Sequence, residues 1–264
     1  MATKQAAAQP KDAGAQNNNP LFYNKPTLLT TDAHKDASLA KDIGFGFARG
    51  ANAIPVNLVE FPQLAHYYPI AFARDAVATP VAVVGVRDAE NLFVNAKGEW
   101  TPNLYIPAYV RRYPFILSES PTGEQLSLCV DDAAGVLGKG GEKFFDDKGQ
   151  ASQMAKNAME FCRSYHQAAR QTQEFGKALQ DADILVDRTA EITVKGGQRI
   201  TFSGFRIVDE EKFNKLPEKT FMEWRAKGYL AGVYAHLFSG LHWGSITRLV
   251  NERMPEAKSD SKKK

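Results

Sequence analysis

Two consecutive arginines sit inside a run of aromatic residues. Arg111 and Arg112 lie in Y-I-P-A-Y-V-R-R-Y-P-F (105–115), among Tyr105, Tyr109, Tyr113 and Phe115. A guanidinium is planar and always charged, offers a fixed fork of N–H donors, and stacks on aromatic faces. Such a cluster suits recognition of a carboxylate or a phosphate. It equally suits a structural arginine that joins two parts of a fold. An earlier stretch, P-Q-L-A-H-Y-Y-P-I (62–70), echoes this one and carries His66–Tyr67 where the arginines stand. The candidate ligand-binding residues are therefore Arg111, Arg112, His66, Tyr109 and Tyr113.

Other groups point to chemistry less well. Gly44, Gly46 and Gly50 in I-G-F-G-F-A-R-G miss the dinucleotide fingerprint, because Arg49 stands where its third glycine belongs. Cys162 and His166 are one helical turn apart, a spacing that suits two metal ligands, but no third ligand lies near in sequence. His236 and His242 share no helix face. Asp131–Asp132 and Asp146–Asp147 adjoin Gly-rich turns and read as turn chemistry, since the EF-hand pattern is absent. Neither G-x-S-x-G nor H-E-x-x-H occurs. No catalytic residue, metal site or cofactor is expected.

The elements that must position the arginines begin with the echo itself. Pro62, Tyr68 and Pro69 align at one spacing with Pro107, Tyr113 and Pro114. P-V-A-V-V-G-V-R-D, ending at Asp88, parallels Q-L-S-L-C-V-D-D, ending at Asp132. L-F-V-N-A-K-G (92–98) parallels K-F-F-D-D-K-G (143–149), after a Gly-rich insert at Gly135–Gly141. Proline disfavours the helical region for the residue before it, so Tyr68 and Tyr113 should be extended, with a strand after each. The expectation is a β-rich domain over 21–150 built of two similar units, about 57–98 and 102–149. Turns are expected at Pro80, at Pro121–Gly123, and at Gly98 and Gly149.

From Ala151 the character changes. Met154, Ala158, Phe161, Tyr165, Ala168, Thr172, Phe175 and Leu179 alternate at spacings of four and three, the seam of a long amphipathic helix capped by Ser152. That helix is read as a brace for the β domain. Thr189–Val194 and Arg199–Val208 flank a Gly-Gly turn and predict a hairpin. Helices follow at Asp209–Lys215, from Pro217 to Lys227, at Tyr229–Phe238 and at His242–Glu252. The fold class is thus α+β: a β-rich N-terminal domain of two similar units, then a helical region with a β-hairpin (151–252) ending in a helical bundle. A disordered arm (1–20) and a basic tail (253–264) flank it.

The chain has 264 residues and a net charge of +3, much of it in Lys262–Lys264, so no nucleic-acid footprint is expected. Two cysteines make no disulfide framework. The N-terminus lacks an apolar core of the Sec type. Gly228–Thr247 holds no Asp, Glu, Lys or Arg, but its histidines, serines and glycines favour two buried helices over a membrane span.

Several stretches resemble the bacterial SapC family: N-P-L-F-Y-N (19–24), A-N-A-I-P-V-N-L-V-E-F-P (51–62), Y-P-I-A-F (68–72), E-N-L-F-V-N-A-K-G-E-W (90–100), 105–115, G-F-R-I-V-D-E-E-K (204–212) and Y-A-H-L-F-S (234–239). The resemblance spans about 19–252. It implies a soluble bacterial protein named for a surface (S-) layer locus linked to serum resistance. Such proteins tend to occur beside flavin-dependent tryptophan halogenase-like proteins and TonB-dependent receptors. It is distinct from the ABC-transporter permease of the same name, which needs several membrane spans. No family catalytic residue maps onto this chain. The expected function is a non-enzymatic binding or assembly component tied to the cell envelope or surface layer. The alternative is an enzyme or enzyme accessory acting on a peptide or amino-acid-like ligand. Expected partners are a protein at the envelope and a peptide or small acidic ligand, with neither nucleic acid nor a membrane span. The lack of a signal peptide places the chain in the cytoplasm, or at the surface through a non-Sec route.

Overall fold

A computed structural model describes residues 19–120, 125–133, 135–138 and 140–254. Most of the expected arm, the turn at Pro121–Gly123, Lys139 of the Gly-rich insert and nearly all of the basic tail lie outside the described residues. In chain order the first half holds β1 (Pro26–Leu28), α1 (Thr31–His34), β2 (Ser38–Leu39), β3 (Ala53–Pro55), α2 (Phe61–Leu64), β4 (Ile70–Ala73), β5 (Pro80–Val83), α3 (Ala108–Arg112), β6 (Phe115–Glu119), β7 (Leu126–Asp131) and β8 (Leu137–Gly138). The second half holds α4 (Gln153–Asp181), β9 (Leu185–Thr193), β10 (Arg199–Val208), α5 (Glu210–Asn214), α6 (Glu218–Ala226), α7 (Tyr229–Ser239) and α8 (Trp243–Arg253). This is the mixed architecture expected: a β-rich N-terminal region, a long helix, a hairpin and a helical C-terminal part.

Two antiparallel sheets dominate. One has the order β1-β7-β6, the other β3-β5-β4-β10-β9, and a two-stranded pair joins β2 to β8. The three-stranded arrangements β1-β7-β6 and β3-β5-β4 share order, direction and bonding. Val83 N–H donates to Pro69 O as Asp131 N–H donates to Pro114 O. Val84 N–H meets Asn52 O as Asp132 N–H meets Lys25 O, and Val56 N–H meets Pro80 O as Leu29 N–H meets Leu128 O. The turns after them match too. Asn95 Oδ1 accepts from the amides of Lys97 and Glu99, and Asp146 Oδ1 from those of Lys148 and Gln150.

Two details differ from the reading of the sequence. Val84, four residues before Asp88, occupies the place that Asp132 takes in the other sheet. A run such as P-V-A-V-V-G-V offers several registers to a text comparison, whereas backbone pairing selects one. Moreover, the third strand of the second sheet is β1, which precedes the whole of the first sheet in the chain. The two sheets therefore interleave along the sequence. Pro55 lies on the outer strand β3, where its missing N–H costs no ladder bond.

Helix α4 begins where Ser152 Oγ accepts from Ala155 N–H. Its first half packs Met154, Ala158 and Cys162 onto Phe115, Leu128, Val130 and Phe144. Its second half packs Phe175 and Leu179 into the main core, with Phe175 edge-on to Phe61. It thus braces both sheets. Gly176 is the point of closest approach, since a Cβ there would strike the carbonyl oxygens of Val77 and Ala78. Gly176→Ala is expected to cost about 1–3 kcal/mol through overpacking. Urea denaturation reads this, and an unchanged midpoint would contradict the packing described.

The hairpin β9–β10 pairs with β4, so the five-stranded sheet takes strands from both sides of residue 150. β9 starts at Leu185, earlier than its apolar pattern predicts, because Leu185–Arg188 pair in register with Phe205–Val208 of β10. The uncharged stretch near the C-terminus forms α7, a 3-10 turn at Gly240–His242, and α8. Among the described residues no helix is long and apolar enough to cross a membrane. α7 is pinned to the sheet by His236 and Ser239. Ile70 N–H donates to Ser239 Oγ, which donates to His236 O.

Candidate functional site

Proline sets the limits of α3. Pro107 stands immediately before the helix, and Pro114 forces Tyr113 out of the helical region (ψ 136°). The helix has five residues, and its last turn carries Arg111 and Arg112. Because α3 packs on α4, both side chains meet that helix.

Arg112 is half-buried in a cage of tyrosines. Its guanidinium lies 4.6 Å from the ring centre of Tyr109, 4.5 Å from Tyr165 and 5.5 Å from Tyr23. Nε–H donates to Tyr23 Oη (3.2 Å), and Tyr23 O–H donates to Phe115 O (2.6 Å). Arg111 is more exposed. Its guanidinium lies 5.4 Å from Tyr105 and 5.3 Å from Phe161. Nε–H donates to Ile106 O (2.9 Å) and an Nη2 hydrogen goes to Tyr105 Oη (3.0 Å). Tyr105 in turn donates to Glu60 Oε1 (3.0 Å). Glu60 is buried and accepts from the amides of Ala108 and Asn57 as well.

Neither arginine forms an ion pair with a carboxylate among the described residues. Glu60 reaches Arg111 only through a phenol, so two cations face one relayed anion. Arg112 also hydrogen-bonds the Tyr109 hydroxyl, which draws that phenol down against burial.

The phenols and the thiol around the pair stay uncharged at neutral pH. Burial pushes up the phenols of Tyr23 and Tyr165, against the pull of Arg112. Burial likewise raises Tyr109 and Tyr105. It pushes the Cys162 thiol up to about 11, again against Arg112. Arg112 itself is held above its ordinary range: burial opposes the charge, and the oxygens of Tyr23, Tyr165 and Tyr109 outweigh that.

Tyr113 belongs to the same cluster through Tyr23, whose ring centre is 5.5 Å away. It stacks on Phe47 at 4.0 Å and donates to Asp131 Oδ2 (2.9 Å). Tyr109 donates to Leu21 O (3.1 Å). His66 stands apart. It is exposed beyond α2, its ring meets Tyr67, and among the described residues it touches neither arginine. Two cavities adjoin the cage. One of about 410 Å³ is lined by Phe22, Tyr23, Phe47 and Gly50, and one of about 160 Å³ by Tyr165, Asn57 and Thr172.

Sequence reading missed Tyr23, Phe161, Tyr165 and Glu60. Phe161 and Tyr165 carry a signal, lying one turn apart on the α4 seam. Asn57 and Glu60 have the spacing of a capping box, which they form. Cys162 and Cys129 are free and buried. His166 pairs with Glu119 (3.1 Å), and His242 meets Ala65 O (2.9 Å). No group of three or more His, Cys, Asp or Glu is placed to hold a metal among the described residues. The Gly44–Gly46 pair packs on Gly98, with Phe45 N–H donating to Gly98 O (2.7 Å).

The SapC family model matches residues 29–246. No curated protein and no solved structure gave a match.

Proposed function

This chain belongs to the SapC family, and on that premise we propose a non-enzymatic binding or assembly component of the bacterial cell envelope or surface layer, one that holds an acidic group on Arg111 and Arg112. One observation carries this reading. Two adjacent guanidiniums rest on five aromatic rings, and among the described residues neither is ion-paired with a carboxylate. A carboxylate meets such donors by charge-assisted hydrogen bonds, roughly twice as strong as neutral ones. The fit is to a peptide C-terminus or an amino-acid-like ligand. Binding is favoured over catalysis because the phenols and the thiol around the pair are held away from neutrality, where a general base must sit.

We also read β3-β5-β4 and β1-β7-β6 as copies of one unit. Their shared bonding is framework, and the arginine pair lies where the copies part, opposite His66–Tyr67. An envelope protein is the expected partner, reached from the cytoplasmic side or after non-Sec export. Cell fractionation addresses that placement: the chain should sediment with envelope material, and a wholly cytosolic chain with no envelope partner would oppose it.

The site is tested with N-acetyl-Ala-Ala bearing a free carboxylate and with its C-terminal amide, by calorimetric titration. The carboxylate form should bind at least tenfold more tightly. Arg111→Ala, at an exposed position, should cost about tenfold, or roughly 1.4 kcal/mol. Equal binding of acid and amide, or an unaffected folded variant, would reject the reading.

A further inference from the structure

A second candidate site lies farther along α4, against the sheet β1-β7-β6. Between α4 and the strands β1 and β7 runs a cavity of about 570 Å³. Its apolar floor includes Leu28, Leu126, Leu128, Phe145 and Met159. Leu28 is 47% exposed although it is a large apolar residue. Along the helix side stand Lys156, Glu160 and Arg163. None of the three forms an ion pair among the described residues, so the rim has two cations against one anion. Lys156 and Arg163 are one heptad apart, about 10 Å along the helix. Arg170 continues the row beside an adjoining cavity of about 600 Å³, which shares Leu126.

We propose that this groove binds a single-chain anionic amphiphile, with its alkyl chain on the Leu, Phe and Met floor and its carboxylate or phosphate head on Lys156 and Arg163. Three observations favour that occupant. The volume is that of a site for one small ligand. Apart from Lys156, Glu160, Arg163 and Ser127, the described lining is apolar, so an alkyl chain meets apolar contact along its length. The rim retains an excess of positive charge, which an anionic head neutralises and a neutral one does not.

The full chain is titrated with dodecanoate, octanoate, dodecyl phosphate and dodecanoyl glycerol, each below its aggregation concentration. A peptide of alternating Leu and Glu is a further arm. Dodecanoate or dodecyl phosphate should bind, the two arms assigning the head. Affinity should weaken about fourfold per methylene removed. Neutral dodecanoyl glycerol should bind at least tenfold more weakly. The double variant Lys156→Glu, Arg163→Glu alters exposed positions and should lose at least tenfold for the anionic ligands, while Met159→Gln should weaken both chain lengths. Equal binding of the neutral lipid, an unaffected folded charge-reversal variant, or binding of the peptide in place of dodecanoate would overturn the proposal.

Discussion

Asp131→Ala is expected to cost about 1–3 kcal/mol of stability, the range for leaving hydrogen-bond donors unpaired. Asp131 is 0% exposed. Its Oδ1 accepts from Lys25 N–H (2.6 Å) and Asn24 N–H (3.1 Å), and Oδ2 from the Tyr113 hydroxyl (2.9 Å). One carboxylate therefore ties β7, the segment leading into β1, and the Tyr113 cluster together. Removing it leaves three part-buried donors without their acceptor. Asp131→Asn should cost less, since its amide keeps one acceptor but turns an NH₂ toward donors. Urea denaturation measures both. A loss below about 1 kcal/mol for the alanine variant would contradict this role. The effect should also reach the arginines, because Tyr23 directly precedes the tied segment and cages Arg112.

Acid should weaken the fold through His236. The ring is fully buried. Its Nε2 accepts from Val208 N–H (3.0 Å), so its Nδ1–H donates to Ile70 O (2.9 Å). A second proton on Nε2 would face an N–H donor with no water to receive it. Burial accordingly lowers the pKa from 6.5 to about 4, despite the opposing pull of Ile70 O. The folded pKa is depressed, so the unfolded chain binds the extra proton first as pH falls. The stabilisation is complete above about pH 6.5 and is lost as pH falls from there toward 4. Between pH 7.5 and 4.5 the loss from this group should be about 2–3 kcal/mol. His236→Gln can keep one donor and one acceptor without titrating, so its pH dependence should be shallower by about that amount. Parallel pH profiles for the two proteins would refute the assignment.

Much of the framework was legible because it rests on local rules. Pro69 and Pro114 mark strand entries whatever their surroundings. Asn95 and Asp146 hold their turns with their own side chains. The spacing of Thr172, Phe175 and Leu179 announces the buried face of α4. The same seam missed Ala155, Cys162 and Gly176, because the helix is covered on two flanks by two sheets. The placement of β1 was not legible, since it pairs with β7 across the length of the first sheet. A three-residue strand has no periodicity to read.

The candidate site was half legible for the same reason. Tyr109 shares a helix face with Arg112, three residues on, and they stack. Tyr113 lies beyond the helix end and turns to Asp131 instead. Tyr23 and Tyr165 come from distant segments that only the fold brings together. His66 matches Arg111 in the text of the sequence, but α2 packs under α7 whereas α3 packs under α4. Equivalent positions therefore face different neighbours.

The claim that Arg111 and Arg112 hold an acidic group is tested most directly by observing their Nε–Hε resonances in ¹⁵N-arginine-labelled protein during titration with N-acetyl-Ala-Ala. Both resonances should shift and saturate together at one dissociation constant, while that of Arg248, which pairs with Glu252 on the surface, stays in place. The C-terminal amide should leave all of them unmoved. Arg111 and Arg112 resonances that do not respond, or that drift in step with Arg248 without saturating, would contradict the account.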